Sequence, residues 1–456
     1  MKAFAPMSRL EFLSDSPLRN RLSAPLPFQS FARTPAGHAT GALRGPWLAR
    51  LVFALLLLQA AGAGRAADPA PAPAAPTNAV RPVLAKILAP AQEMLRNKQF
   101  KEAVTALQPA DAVPDRTPYE IFITRRMQGV ALAGAGDLAG ASKMQELVIA
   151  DPLLAPEDRL AIEKVMAQDW YDKPPLTESV KWGERYLKDG GKEDVVHIMI
   201  AQSLYKAGDY KGTIDAIHRA ISAEPGTQPT EPRLQMLASA ESKIKDDEAY
   251  IATLEQLVTL YPKKDYWNNL LANLERKPGF EEYMVIDVFR LRLATGSMKE
   301  AEDFTDMAQL SLHAGYPAEA RRALDAGVAA GLLGPGKGGP DYAKLRQQAD
   351  NQSDEDRKLL GQGDAKAEAA KDGVALYAAG FNYVTFERFD KGLPMMVQGF
   401  SRGGFKRPEV ARLQLGESYA LAGQKAEAAS TLAAVKGTDG SADLARLWGL
   451  YLKALP

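Results

Sequence analysis

The sequence contains no cysteine and little histidine, and both absences narrow the chemistry open to the chain. Without cysteine there is no disulfide, no thiol nucleophile and no lipid-bearing residue of the kind that anchors bacterial lipoproteins. Three histidines, His197, His218 and His313, follow residue 66, and none stands in the H-E-x-x-H spacing of a zinc site. We therefore expect neither a metal centre nor a cofactor.

A basic stripe is also missing. Residues 1–66 carry eight basic and two acidic side chains, a charge of +6, whereas the whole chain is formally neutral, so the remainder carries −6. A nucleic-acid-binding surface needs clustered lysine and arginine to replace the counterions of the phosphates. We therefore expect no nucleic-acid partner.

The apolar stretch near the N-terminus is too short to span a membrane. Residues 51–64 make about 14 positions, and a spanning helix needs roughly 20. Arg44 and Arg50 precede this stretch and small residues follow it, an order typical of a secretory signal peptide. We expect residues 1–66 to be a signal peptide with a long leader, whose length favours a translation start downstream of Met1. Residues 67–80 are rich in alanine and proline and are expected to form a disordered spacer.

What the sequence does contain is a regular series of turn positions about 36 residues apart. The ten positions are Lys98, Gly136, Asp172, Gly208, Lys245, Gly279, Gly315, Asn351, Glu387 and Gly423. Midway between them lies a second series, rich in residues that end helices: 114–118, 152–156, 190–191, 225–229, Pro262, Gly296, 334–340, Gly373, 403–408 and Gly440. Two breaks per period predict two helices of roughly 12 to 15 residues per unit, which is typical of an α-solenoid.

Further spacings identify the kind of repeat. Seven units have glycine or alanine seven residues before the turn: Ala91, Gly129, Ala201, Ala238, Ala308, Gly380 and Gly416. Nine residues after the turn most units have an apolar residue, and Gln145 is the exception. With Leu415, Gly416, Tyr419, Ala428 and Leu432, the sequence resembles the tetratricopeptide repeat (TPR) family, whose pattern is W-x2-L-G-x2-Y followed by A-x3-F.

The resemblance implies an all-α, TPR-like, right-handed solenoid of about ten helical hairpins, with residues 441–455 as a C-terminal capping helix. TPR-like units 1 to 7 are expected over residues 81–333, and units 9 and 10 with the cap over residues 373–456. Between them, residues 334–372 combine a glycine-rich segment with a polar eighth unit. Because stability in a solenoid comes from contacts between neighbours, we expect this segment to be a hinge.

Two motif-like segments are better explained by packing than by catalysis. Gly331, Gly336 and Lys337 have phosphate-loop spacing, but Gly338 replaces the Ser or Thr that holds magnesium, and no strand precedes them. Residues 416–420 resemble a nucleophile elbow only in part and lie within a helical repeat. We therefore predict that the protein is not an enzyme.

The candidate binding site is the inner face of the first helices, where repeats of this family bind partners. Its expected residues are Tyr205, Gln235, Asn268, Gln309, Tyr377 and Phe381. Tyr377 and Phe381 lie four apart on one helix face, offset from the packing positions, and are expected to be exposed aromatic anchors. Neutral polar residues fill the rest of the set, which favours an extended or helical peptide over an acidic tail.

Together these features predict a periplasmic protein-interaction scaffold, exported by its signal peptide and not lipidated. Segments such as residues 406–408 and 445–448 resemble exported TPR proteins of proteobacteria, some of which accompany TonB-type envelope systems. Two alternatives remain open. In one, residues 51–64 are not cleaved off and the protein is an adaptor anchored in the inner membrane; in the other, it is a binding subunit of a polysaccharide synthesis or export machine. Neither the partner nor the oligomeric state follows from the sequence.

Overall fold

The computed structural model describes residues 79–338 and 340–455, and α-helices make up most of this part of the chain. The predicted signal peptide and nearly all of the predicted spacer lie outside the described residues. The described residues form two compact units, an N-terminal unit of residues 79–246 and a C-terminal unit of residues 247–455. Neither range contains a β-strand, so the described chain is all-α as predicted.

The N-terminal unit consists of nine α-helices and one short 3-10 helix at Gln108–Ala112. The helices are α1 (Pro82–Arg96), α2 (Phe100–Leu107), α3 (Pro118–Ala135), α4 (Leu138–Ile149), α5 (Pro156–Trp170), α6 (Leu176–Lys188), α7 (Asp194–Lys206), α8 (Tyr210–Ala223) and α9 (Glu231–Lys243). The first helices of successive pairs are therefore α1, α3, α5, α7 and α9.

The C-terminal unit contains the remaining twelve described helices and a 3-10 turn at Glu282–Met284. They are α10 (Asp247–Leu260), α11 (Lys264–Leu274), α12 (Val285–Thr295), α13 (Ala301–His313), α14 (Pro317–Ala329), α15 (Pro340–Leu359), α16 (Asp364–Glu368), α17 (Val374–Thr385), α18 (Phe389–Arg402), α19 (Pro408–Leu421), α20 (Lys425–Ala433) and α21 (Ser441–Ala454). Ten helix pairs and a final helix were predicted, and this is the number observed.

Nine of the ten predicted turn residues have the left-handed backbone conformation that ends a helix. Glycine adopts it at low cost, but Lys98, Asp172, Lys245 and Glu387 adopt it too, with φ between 58° and 64°. The prediction for Asn351 was wrong, because Asn351 lies inside the 20-residue helix α15. The chain there is rich in Gln, Arg, Asp and Glu without Gly or Pro, so nothing interrupts the helix before Leu359.

Small residues allow the two helices of a pair to approach, as the sequence predicts. The closest approach joins α17 and α18, where Gly380 and Gly392 face each other across the pair. A Cβ on Gly380 would lie 2.7 Å from the carbonyl oxygen of Gly392, too close for any side chain. Helix starts are likewise set locally, by proline in the first turn of α3, α5, α14 and α19 and by capping Asp137 and Asp209.

The eighth pair departs from the others. Its helix α15 packs on α13 and α14 through a narrow apolar stripe that includes Leu345 and Ala349. Its contacts with α17 include polar and cation–π pairs: Asn382 donates to Asp356 at 3.1 Å, and Arg357 lies over the ring of Phe386. Pairs seven and nine also touch directly, because the ring of Tyr316 packs edge-on against Phe381. The predicted hinge at residues 334–372 stays a prediction.

No helix among residues 79–338 and 340–455 is both long and apolar enough to cross a membrane.

Candidate functional site

The predicted aromatic anchors are buried. Tyr377 is 5% exposed and Phe381 is 4% exposed, and both belong to a core cluster with Val384, Leu393 and Met396. The Tyr377 hydroxyl donates to the carbonyl of Ala411, which ties α17 to α19. The prediction that these two rings are exposed was wrong, because the first-helix faces of the C-terminal unit pack on one another rather than on solvent.

An ion-pair cluster on two second helices, α12 and α14, packs against the Phe381 ring. Arg290 on α12 makes a bidentate pair with Glu319 on α14, at 2.8 Å from each guanidinium nitrogen to its carboxylate oxygen. The same guanidinium donates to Asp287 and lies 4.9 Å from the ring centre of Phe381. All three charged side chains are at most 4% exposed. Burial opposes ionisation of Glu319, yet Arg290 holds its pKa below the usual value.

The cluster extends to the last helix. Glu417 on α19 accepts a hydrogen bond from Trp448 Nε1 on α21 at 2.9 Å, and Trp448 is fully buried. Burial and the nearby Asp287 raise the pKa of Glu417 well above its usual value. Asp287 Oδ2 and Glu417 Oε2 are buried without a hydrogen-bond partner among the described residues. The carboxyl groups of Asp287 and Glu417 therefore have too few hydrogen-bond donors for both to be charged, which favours protonation of Glu417.

Helix α21 also closes the C-terminal unit on itself, because it packs against α10 and α12 as well as α19 and α20. Asp443 accepts from Lys277 at 2.7 Å, and Asp439 accepts from the Tyr283 hydroxyl at 2.7 Å. Gly440 lies against the Phe280 ring, where a Cβ would approach to 2.6 Å. The inner face of this unit is thus occupied by its own side chains.

Two further predicted residues lie in the C-terminal unit but do not join that cluster. Asn268 is half-buried, and its Oδ1 accepts a hydrogen bond from Arg292 at 2.7 Å. Arg292 also pairs with the buried Glu275. Gln309 is exposed on α13. Asn268 therefore has a structural partner already, and Gln309 remains a surface residue.

The remaining two predicted residues lie on a polar row formed by successive first helices of the N-terminal unit. Tyr205 on α7 shares a 2.7 Å hydrogen bond with Ser239 on α9, and Gln235 lies one turn before Ser239 on the same helix face. Tyr171, directly after α5, donates from its hydroxyl to Gln202 on α7. We call the partly exposed surface carrying Asp169, Gln202, Tyr205 and Gln235 the first-helix surface.

A crevice opens between α3 and α5 at the end of this surface. It has about 10 Å³ open to the centres of water-sized groups, enough for one such group. Its walls are mostly apolar, and its polar members are Asp169 from α5 and Gln145 from α4; the other lining residues are Val130, Ala133, Ile162, Val165 and Met166. Burial raises the pKa of Asp169 to about 6, and Lys173 opposes the shift.

Sequence reasoning missed Asp169, Arg290 and Glu417, although the repeat register contained a signal for two of them. Asp169 stands three residues before its turn, as Tyr205 does before Gly208. Glu417 stands six residues before its turn, the position that Phe381 occupies in the previous pair. Gln145 was noticed as an exception but was not given a role. A charged residue at an inner-face position is thus a useful signal, and it is overlooked when only the apolar positions of the repeat are compared.

A second, wider depression of about 690 Å³ lies between residues 334–337 and α15. The cations lining it are already engaged. Lys337 donates to the carbonyl of Gly331 at 2.8 Å, and Arg346 pairs with Asp325 and Asp350. The segment with phosphate-loop spacing is therefore a loop between two helices, and its lysine is hydrogen-bonded to the backbone of the same loop.

Comparison with known families supports the repeat. Residues 234–264 and 410–438 match the family model described as tetratricopeptide repeat, and the second segment spans most of α19 together with α20. A comparison with curated proteins finds no match. Among solved structures, a chain from "Structure of Naa15/Naa10 bound to HypK-THB" is similar at 14% identity and a TM-score of 0.21, over 79% of this chain and 64% of that chain. This chain thus spans less than two-thirds of that chain's length.

Proposed function

We propose that the protein is a non-catalytic scaffold that binds a protein or peptide partner on the first-helix surface of its N-terminal unit. The observation that carries the proposal is that Gln202, Tyr205 and Gln235 remain partly exposed on the first helices α7 and α9. Partly exposed aromatic and amide side chains are what peptide-binding surfaces use. The C-terminal unit supports the choice of surface, because its own inner face is filled by the Arg290 cluster.

The kind of partner follows from the side chains on the first-helix surface. Gln202, Tyr205 and Gln235 are neutral side chains that contain both hydrogen-bond donors and acceptors. An extended or helical peptide presents backbone and side-chain groups that match such a row. A partner rich in carboxylates is disfavoured, because the charged residue of this surface, Asp169, is itself acidic.

Photo-crosslinking tests this surface directly. We would replace Tyr205 by the aromatic photo-crosslinker p-benzoylphenylalanine and, as control, replace the exposed His218 on α8. We expect one adduct of defined mass at position 205 and none at 218. The identified partner, purified, should then bind the Gln235→Arg variant about tenfold more weakly than wild type, because the longer charged side chain obstructs the row. Equal crosslinking at both positions, or unchanged affinity for Gln235→Arg, contradicts the proposal.

We also propose that the protein is exported to the periplasm without lipidation and serves an envelope transport or assembly system of TonB type. The support is the order of basic, apolar and small residues over positions 44–66, together with the absence of cysteine. N-terminal sequencing of the periplasmic fraction should find a start between residues 64 and 68. Full-length protein found only in the membrane pellet favours the anchored adaptor instead. Identifying the crosslinked partner separates a TonB-type system from a polysaccharide machine.

A further inference from the structure

Helix α1, the first described helix of the array, has an apolar line of side chains that the described chain leaves partly exposed. Val83 is 53% exposed and Pro90 is exposed, while Ile87 and Met94 are half-buried. These residues are three or four positions apart, so they lie on one side of the helix. We call them the α1 stripe.

The α1 stripe is separate from the residues that hold α1 in its own unit. Helix α1 packs on α2 and α3 through a neighbouring line of buried residues: Leu84, Leu88, Ala91 and Leu95. The alternation of four- and three-residue steps along the stripe is the spacing of a seam between two packed helices. The outer side of a terminal repeat is ordinarily polar. An apolar seam on the first helix therefore fits one further helix.

Opposite charges border the stripe on its solvent side. Lys86 and Glu93 are exposed and seven residues apart, so they lie on the same flank of the seam. Among residues 79–338 and 340–455, none forms an ion pair with Lys86. Glu93 pairs with Arg96 at 3.0 Å, but both side chains are exposed and such a pair contributes little. This flank thus contains an unpaired cation and an anion that can exchange its partner.

We propose that the α1 stripe binds a second copy of this chain, with the two α1 helices antiparallel. Val83 then lies opposite Met94 of the second copy, and Ile87 lies opposite Pro90. Within one helical turn of this register Lys86 faces Glu93 of the second copy, and two-fold symmetry makes the same ion pair twice. A parallel arrangement would instead bring the two Lys86 to one level and the two Glu93 to another. The charges therefore select the antiparallel form.

The size of the contact sets its strength. One helix of 15 residues per copy buries less than the roughly 800 Å² per partner that is usual in stable complexes. We therefore expect a reversible dimer that forms as the concentration rises. The inference does not depend on the proposed function, because the first-helix surface lies on α5, α7 and α9. A dimer would present two such surfaces to a partner.

Sedimentation equilibrium of the purified protein tests the dimer. We expect an apparent mass that rises with concentration from one chain toward two. Val83→Asp places a charge in the seam and should weaken self-association by about tenfold or more. Position 83 lies in the first turn of α1, where an acidic residue suits the helix dipole, so the helix is retained. Lys143→Glu, at an exposed position of α4, is the control and should leave self-association unchanged.

Charge reversal tests the antiparallel register. Lys86→Glu alone and Glu93→Lys alone each place like charges opposite one another, and each should weaken self-association about tenfold. Mixed in equal amounts, the two variants should form a heterodimer about as strong as the wild-type dimer, because every charge on the flank then meets its opposite. A different protein bound at the stripe would not produce this recovery.

A mass of one chain at every concentration overturns the proposal and means that nothing, or another part of the chain, covers the stripe. Self-association that Val83→Asp does not weaken places the contact elsewhere and also overturns it. A mixture of the two charge-reversed variants that stays monomeric contradicts the register. Circular dichroism of each variant checks that the fold is retained. The crosslinking at Tyr205 is read separately, so a monomer that forms the Tyr205 adduct refutes the dimer and leaves the proposed function standing.

Discussion

At the scale of single residues, the N-terminal unit contains a carboxyl group that titrates near neutral pH. Glu163 on α5 has a fully buried side chain, and Arg185 Nε lies 3.0 Å from its Oε1. Burial, with the neighbouring Asp189, raises the pKa of Glu163 from 4.5 to about 7, against the opposing charges of Arg185 and Arg159. The folded chain therefore retains a proton that the unfolded chain releases between these two values.

This difference predicts a pH-dependent stability. Because the native state binds the extra proton between pH 4.5 and about 7, the free energy of unfolding falls as pH rises through that window. Glu163→Gln removes the titration, so it should match wild type near pH 4 and be more stable at pH 8 by roughly 1–2 kcal/mol. Urea unfolding at both pH values measures this. Glu157→Gln, on an exposed acid of the same helix, is the control, and a similar pH-dependent gain there refutes the assignment.

Gln145 predicts a substitution that stabilises the N-terminal unit. Its buried, unpartnered Oε1 costs roughly 1–3 kcal/mol, and leucine at this position restores the packing of other pairs. Gln145→Leu should therefore raise the free energy of unfolding by about 1 kcal/mol. Thermal melting measures the effect. Loss of stability in this variant means that the amide is part of the packing.

At the scale of elements, the eighth pair is predicted to be a joint, and its internal turn is not at Asn351. Helix α15 is 20 residues long, and among its described side chains three are buried: Leu345, Ala349 and Ser353. Pairs seven and nine meet directly through Tyr316 and Phe381. The eighth pair is thus less deeply packed than its neighbours, and cutting it need not separate them.

Limited proteolysis should accordingly cut first within residues 334–371, because cleavage requires local opening and this segment has few apolar contacts to lose. We expect the two fragments to remain associated in gel filtration, since the Arg290–Glu319–Glu417–Trp448 region and the Tyr377 hydrogen bond lie on helices outside the cut segment. Denaturing electrophoresis should then separate the two fragments that stay together in gel filtration. A first cut in α3 to α9 contradicts this prediction.

At the scale of the whole molecule, the period of the turns was predictable and the use of the inner faces was not. The left-handed conformation of Gly136, Gly208 and Gly423 could be predicted from the sequence, because such turns favour glycine. The burial of Tyr377 depends on how far successive pairs rotate, which brings α12, α17, α19 and α21 together. That rotation is a property of tertiary packing and cannot be predicted from the spacing of apolar residues within one pair. Glu417 was missed for a related reason, since its contact with Trp448 exists only in three dimensions.

The closure of the C-terminal unit predicts a selective response to mutation. Trp448→Ala removes a fully buried ring and leaves Glu417 without its donor, so it should cost about 3–5 kcal/mol. Hydrogen exchange should then quicken in α10, α12, α19 and α21 while α3 to α7 keep their protection. Arg446→Ala breaks two partly exposed pairs, with Glu255 and with Asp443, and should cost less than about 1 kcal/mol. Uniform loss of protection over both units contradicts this expectation.

The contact of α21 with α10 also has a consequence for how such a chain can change during evolution. Open repeat arrays lengthen and shorten by duplication or deletion of a unit, because each unit meets only its neighbours. Here a duplicated pair inserted between α12 and α19 would move Asp443 away from Lys277 and Asp439 away from Tyr283. The number of pairs in this half of the protein is therefore fixed by geometry. Length variation among descendants of this gene should be confined to the first half of the array.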